Sequence, residues 1–307
     1  MNKLKTKTTI PLTYDFMFKE VFGSQKRIKI TTYFIARYLK IDYHKLIGKV
    51  KLLDKQLTKD NIKDKSQEVD LIVHINDKII NIELNMQKYP YLIARNLAYL
   101  CRIYGNQLNH QDDYLDYKKV LQINFDNFSF FKPKKVRREY LLTSKDQDNI
   151  IYSKLIEIHH VDMEYCRKIC YSENKRSFVE DWVRLLQCNN LKEIKKVAGE
   201  IIMNEEVREE FVSEVEKLNM NPRLMGLYYD REHHEKQVLK GVIEIATKKA
   251  TKKALKEGLQ LGIKQGIEQE RNQTNLKIAK KMIAEGFDIE LIKKFTSLTK
   301  KEIKELL

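Results

Sequence analysis

The sequence predicts an α/β (α+β) core followed by an all-helical C-terminal region, and three observations carry that reading. Hydrophobic residues make up 42% of the 307-residue chain, enough for a sizeable core, with only 4 prolines and 10 glycines to interrupt long regular elements. Up to about residue 165 the apolar spacing runs helix, several strands, a helix, then more strands. From about residue 174 it is helical to the end. The length allows one large domain or two to three smaller ones.

Taken in order, DFMFKEVFGS (15–24) reads as a short helix with Asp15 as N-cap and Gly23 as C-cap, and helical spacing continues through ITTYFIARYLKI. KVKLLDKQL and a polar turn lead into VDLIVHINDKIINIELNMQ (69–87), two strands around an Asn-Asp turn. YLIARNLAYLCRIYGNQL, after Pro90, has the apolar spacing of a helix about five turns long. VLQINF, EYLLTS and KLIEIHHV read as strands, and FVEDWVRLLQ, LKEIKKVAGEIIM and EVREEFVSEVEKL as helices.

Residues 235–272 form an almost unbroken helical run in which Gly258, Gly262 and Gly266 share one face. Each glycine costs about 1 kcal/mol of helix propensity against alanine. Close helix–helix approach in a homo-oligomer and a plain hinge explain the face equally well. The final stretch, LKIAKKMIAEGFDIELIKKFTSLTKKEIKELL, divides into three short helices at GFD and TSLT, with a capping box at Thr299 and Glu302. It is helix-turn-helix-like, or a small helical hairpin that docks on a neighbour. The expected divisions are a core over 1–165, a helical region over 166–234, a long helix over 235–272, and the terminal helices over 273–307.

Composition narrows the function classes. Lys and Arg number 58 against 43 Asp and Glu, a net charge of +15 that favours polyanionic partners through counterion release. The chain is rich in Lys, Asn, Ile and Tyr throughout, so charge alone does not settle on nucleic acid. Cys101, Cys166, Cys170 and Cys188 contain no CxxC and are too few for a disulfide scaffold, which points to buried reduced thiols and a cytoplasmic protein. No apolar run approaches a membrane span, and MNKLKTKTTIPLTYDF lacks the apolar segment of a secretion signal, so no membrane partner is expected. GxxxxGK[ST], GxGxxG and GxSxG are absent, against ATPase, dinucleotide and serine-hydrolase readings. His159-His160 and His233 lack zinc-site spacing and read as structural or solvated.

Hairpin register locates a candidate site. With Asn76-Asp77 as a two-residue loop, Ile75 faces Lys78 and the pairs Val73–Ile80, Leu71–Ile82 and Val69–Leu84 make an apolar face. The other face pairs His74–Ile79, Ile72–Asn81, Asp70–Glu83 and Glu68–Asn85. Two carboxylates opposed at about 5 Å repel by about 3 kcal/mol at an effective dielectric of about 20. Wide exposure, a bridging Lys or Arg, or a divalent cation would offset this. An oxygen-only set of Asp70 and Glu83, with Glu68 and a backbone carbonyl as further candidates, suits Mg²⁺ or Mn²⁺ rather than zinc, and a solvated hairpin face is the alternative.

TYDFMFKEVFG near the start, VDL, NIELN and RNLAYLCRIYGNQL, in that order and spacing, resemble the PD-(D/E)XK nuclease family transposases, the recombination-promoting nucleases of the Rpn type. The Gly-punctuated helix and the terminal IAKKMIAEGFDIELIKKFTSLTKKEIKELL extend the resemblance over most of the chain. It implies a restriction-endonuclease-like core with a mixed central sheet flanked by helices, and metal-dependent DNA cleavage. Asp70 falls on the motif Asp and Glu83 on the motif Glu, both binding Mg²⁺ (or Mn²⁺). Asn85 stands where the wider superfamily has Lys and this branch usually Gln; Lys can orient water and offset phosphate charge, whereas neutral Asn can only hydrogen-bond. Gln87, two positions along the same face, is the candidate assistant, and Asp15 matches the family's first-helix Asp, with Glu20 in the same helix. Arg95, Tyr99 and Arg102, with Gln107 beyond them, are candidates for phosphate contact, for support of the carboxylates, or for an ordinary basic helix edge. The expectation is a Mg²⁺-dependent DNA endonuclease that oligomerises through its C-terminal helices. The alternative is a nuclease-fold protein that lost chemistry at Asn85 and acts as a DNA-binding or oligomerising module.

Overall fold

The computed structural model describes residues 9–57, 67–146, 148–169 and 177–307. Cys170 lies outside them; of the other thiols Cys166 and Cys188 are buried as expected, whereas Cys101 is exposed on the outer side of its helix. The chain forms two compact units, Met1–Tyr229 and Asp230–Leu307.

The first unit begins with helices α1 (Asp15–Phe22), α2 (Ile28–Tyr38) and α3 (Tyr43–Leu46). Strands β1 (Val50–Leu52), β2 (Gln56–Leu57), β3 (Gln67–Glu68), β4 (Leu71–Ile75) and β5 (Lys78–Asn85) follow, then helix α4 (Leu92–Gly105). Strands β6 (Lys119–Asp126), β7 (Arg137–Thr143) and β8 (Ile151–Asp162) complete the sheet, and α5 (Met163–Ile169), α6 (Phe178–Leu186), α7 (Leu191–Ile201) and α8 (Glu205–Asn219) succeed them. The long helix α9 (Pro222–Ala284) starts in this unit.

Six strands form a mixed sheet in the order β1-β4-β5-β6-β8-β7. β5/β6 and β6/β8 are parallel and the other pairs antiparallel. A tight turn joins β4 to β5 and so forces antiparallel pairing, whereas the α4 crossover returns β6 parallel to β5. β2 and β3 pair separately.

The hairpin register is the expected one from Leu71↔Ile82 to Ile75↔Lys78. Asn76 takes φ 50°, a left-handed conformation that Asn tolerates better than most side chains. The expected pairs beyond Leu71, namely Asp70–Glu83, Val69–Leu84 and Glu68–Asn85, are not laddered, and Val69 does not share a face with Leu84. The ladder stops at Leu71 and the chain bends at Asp70, so the alternation breaks there. Val69 instead packs with Ile72, Ile79 and Val120 on the opposite face of the sheet.

Both faces are covered. Leu71, Val73, Ile80, Ile82, Ile123 and Phe125 join Phe22, Phe34, Trp182 and Phe211 from the helices in the main core. The aromatic rings pack edge-on or tilted, Phe34 against Trp182 at 4.6 Å between centroids. On the other side Leu100 and Ile103 of α4 close over Ile72, Ile79 and Val120. The alternating residues of β5 are therefore buried rather than solvated: Asn81 is 0% exposed, Glu83 3% and Asn85 3%.

Long-range polar clamps close the main core. Buried Asn219 accepts from the Ile10 backbone N–H at 2.6 Å and donates to the Val215 carbonyl at 2.8 Å. Asn219→Ala leaves that N–H buried without its partner and is expected to cost about 2 kcal/mol, read as a lower urea midpoint. At the N-terminus of α1 the cap position belongs to Tyr14, whose backbone is extended, and Asp15 is the first helical residue rather than the N-cap; Gly23 is the C-cap as expected.

In the second unit α9 continues unbroken through residue 273, because NQTNLKIAKKMIA contains neither Gly nor Pro. The first of the three expected short helices is thus the end of α9. Gly286, at φ 81°, supplies the left-handed turn that stops it. Asp288 caps α10 (Ile289–Thr296), and Thr299 with Glu302 forms the expected capping box of α11 (Lys300–Lys304). Ala279, Ile292, Leu298 and Ile303 make a small core of their own. Thr299→Ala is expected to weaken α11 by about 1 kcal/mol, seen as faster amide exchange there in the intact protein. No described helix is long and apolar enough to cross a membrane.

Candidate active site

The carboxyl ends of the parallel strands β5, β6 and β8 lie side by side, and β4 begins next to them. At that end Asp70, freed from the ladder by its bend, accepts the Leu84 backbone N–H on Oδ2 at 2.9 Å. Its side chain is 15% exposed and that of Glu83 is 4% exposed, so bulk water does not separate their charges. Burial, and next the charge of Asp70, push the Glu83 carboxyl up to about 8. Burial also raises Asp70, against the opposing effects of the Leu84 N–H and Lys19. The two expected ligands are thus brought together, and they resist joint ionisation.

Two cations answer part of that charge. Lys19 Nζ of α1 lies 2.7 Å from Glu68 Oε1 and 3.6 Å from Asp70 Oδ1. Arg95 Nη2 of α4 lies 3.8 Å from Glu83 Oε2. Neither satisfies Glu83 fully: among the described residues its buried Oε1 has no hydrogen-bond partner. Asp15, one turn before Lys19, acts electrostatically on both Lys19 and Asp70, so the first helix faces this cluster.

Asn85 is bonded at both ends of its amide. Its Nδ2 donates to Asp126 Oδ1 at 2.7 Å, and its Oδ1 accepts from Arg95 Nη2 at 2.8 Å. Asp126 Oδ2 meets His160 Nδ1 at 2.7 Å. Deeper under α4, Asn96 donates to Asn124 at 2.8 Å, and Gln122 donates to the same oxygen at 3.1 Å. Tyr99 lies beneath the Arg95 guanidinium, 5.5 Å from ring centroid to cation.

Other expected residues fall differently. β5 ends at Asn85, so Gln87 has left the strand; it is exposed and accepts from the Tyr89 hydroxyl instead of extending the buried face. Glu68 is not laddered opposite Asn85; it pairs with Gln56 in the small sheet and meets the site through Lys19. Glu20 is ion-paired with Arg27 at 3.3 Å. Gln107 ties both backbone groups of Lys118, a structural role. Arg102 sits half-buried on α4, beyond Tyr99.

Sequence reasoning missed Lys19, Asp126, Asn96, Asn124 and His160. The signal was present in KVLQINFD, whose Gln122, Asn124 and Asp126 repeat the polar alternation of Asn81, Glu83 and Asn85 and pair with them in register. A separate group, Glu139, Glu157 and His159, brings three ligand atoms within 4.8 Å of one another. Its members already have protein partners: Glu157 pairs with Lys119, Glu139 with Arg137, and His159 with Tyr38 at 2.9 Å and with Glu157 inside the group. His160, expected to be structural or solvated, is buried and bonded to Asp126.

A mixed six-stranded sheet between helices, with an acidic pair at the strand ends, defines a restriction-endonuclease-like fold. Residues 12–242 match the family model of the PD-(D/E)XK nuclease family transposases, and the chain belongs to that family. Residues 272–307 match the C-terminal HTH domain of the Rpn/YhgA-like nuclease family, which covers the end of α9 with α10 and α11. A comparison with curated proteins gave no match.

Proposed function

We propose that the protein is a Mg²⁺-dependent DNA endonuclease, with Mn²⁺ as a substitute, acting in DNA mobility or recombination. The observation that carries this reading is the buried Asp70–Glu83 pair, in which Glu83 Oε1 has no hydrogen-bond partner among the described residues and the carboxyl is raised to about 8 despite Arg95. An oxygen-only, charge-excess site of this kind fits a hard divalent cation. Asp70 and Glu83 would hold it; when bound, it supplies positive charge for the scissile phosphate and acidifies water. The Leu84 N–H keeps the Asp70 carboxylate turned toward Glu83, and Lys19 restrains Asp70 and Glu68 from the other side. The C-terminal helices and the excess of basic residues would hold the DNA backbone.

Self-association is part of the same reading. Leu255, Leu259, Ile263 and Ile267 are exposed along α9 beside Gly258, Gly262 and Gly266, where nothing lies within 4 Å of an added Cβ. A homo-oligomer through this helix predicts that sedimentation of the intact protein exceeds monomer mass and that Gly262→Leu reduces it. A cytoplasmic location agrees with the small number of cysteines, too few for a disulfide scaffold in a chain of this length.

The competing reading is a fold that binds DNA without cutting it, favoured by Asn85, a neutral amide that is already bonded to Asp126 at one end and to Arg95 at the other. Plasmid nicking in Mg²⁺ separates the two: nicking that disappears in Asp70→Asn supports the nuclease, whereas DNA retardation without nicking supports the binding module.

A further inference from the structure

Asn85 raises a chemical question. A neutral amide adds no positive charge, yet this one is buried and held at both ends between a carboxylate and a guanidinium. Its orientation is dictated by what it meets. The Arg95 guanidinium can only donate, so it takes the amide carbonyl, and the NH₂ is thereby turned toward Asp126. Asp126 is itself held: its second oxygen meets His160, whose ring is boxed by Phe130 at 6.0 Å, Phe131 at 5.2 Å and Tyr140 at 5.9 Å. The chain of contacts therefore runs from β8 through β6 and β5 to α4 and ends on a cation.

Arg95 is the member that can reach a substrate. Its Nη2 donates to Asn85 at 2.8 Å and, with Nε, more weakly to Asn96 at 3.4 Å, the ring of Tyr99 lies under the guanidinium, and Glu83 is 3.8 Å away. Its side chain is still 34% exposed, against 21% for Lys19, which the Glu68 carboxylate holds at 2.7 Å. A planar guanidinium suits this arrangement, because one edge can be pinned while the remaining N–H groups keep a fixed direction.

We infer that Asn85 and Asp126 are positioning residues for Arg95, and that Arg95 is the cation that meets the scissile phosphate beside Glu83. The inference rests on the proposed nuclease reading for the phosphate, and on geometry alone for the Asp126–Asn85–Arg95 relay. It assigns Asn85 a task that only an acceptor can perform. An ammonium at position 85 would face the guanidinium as a like charge, so Asn85→Lys is expected to impair cleavage rather than enhance it.

A double-mutant cycle in the full chain tests the relay. Arg95→Ala is expected to slow single-turnover nicking in Mg²⁺ by about 10²–10³-fold, the scale for losing one preorganised group that stabilises developing charge. Asn85→Ala is expected to slow it about tenfold, and in the Arg95→Ala background to cost nothing further, because a residue that acts through another contributes nothing once that other is gone. Ca²⁺ affinity, measured by calorimetry without DNA, gives a second cycle: the effect of Asn85→Ala should vanish when Arg95 is absent. Asp126→Asn provides the same comparison if Asn85→Ala does not fold, as judged by its thermal melt. Additive effects in the cycles, or faster cleavage by Asn85→Lys, would overturn the inference. If the wild-type protein cuts no DNA, the nuclease reading and the phosphate role of Arg95 fall together, while the calorimetric cycle still decides the relay.

Discussion

Asp70→Asn and Glu83→Gln are each expected to abolish Mg²⁺-dependent nicking to within background, a loss of at least about 10²–10³-fold, while DNA retardation persists. Both substitutions keep side-chain shape and remove a charge. The Leu84 N–H that Asp70 accepts can be met by an amide oxygen, so the bend at the head of β4 is retained. Glu83→Gln removes the carboxylate that Arg95 faces and whose Oε1 has no partner among the described residues. Thermal melts no lower than wild type would show that the loss is chemical. Gln87→Ala should have a far smaller effect, because Gln87 is exposed beyond the end of the strand.

The second large effect joins pH, cation and stability. Glu83 ordinarily titrates near 4.5 and in the folded protein near 8, so between those values the native state keeps a proton that the unfolded chain has lost. Stability of the cation-free protein therefore falls as pH rises from about 4.5 through about 8, the direction required when the folded state binds more protons. Asp70 and Asp126, both raised chiefly by burial, act in the same direction. On the proposed reading a divalent cation would oppose this by binding the ionised pair, and at a hundredfold excess over its dissociation constant it would add about 2.7 kcal/mol. Melts at pH 6 and pH 8 should show a larger Mg²⁺- or Mn²⁺-induced rise at pH 8, where protons compete less. Glu83→Gln should flatten the cation-free pH dependence and remove most of the cation effect. Equal cation shifts in Glu83→Gln and wild type would place the ion elsewhere.

The hairpin shows how far local chemistry reaches. Asn76-Asp77 and the apolar alternation on either side were sufficient to set every laddered pair from Leu71↔Ile82 to Ile75↔Lys78, but the expected pairing of Asp70 with Glu83 lies beyond the end of that ladder, and Asp70 reaches Glu83 through its bond to the Leu84 N–H. The bend at Asp70 was not legible, because it depends on a side-chain bond to Leu84 fourteen residues away. The burial of Asn81, Glu83 and Asn85 was not legible either, since it requires α4 to cross the sheet and seal that face. Periodicity says that a face is polar, not whether it is wet. Asp126 and His160 enter the site through parallel neighbours separated by a crossover, a pairing that no turn motif announces. At the C-terminus, by contrast, Gly286, Asp288 and Thr299 with Glu302 are local stop and start signals, and the helix boundaries there follow them closely.

Diffraction from crystals soaked in Mn²⁺, with anomalous scattering used to find the ion, tests the central claim most directly. The account predicts a peak contacting both Asp70 and Glu83, which disappears in Glu83→Gln. A peak seated instead on Glu139, Glu157 and His159, with none at Asp70 and Glu83, would contradict it.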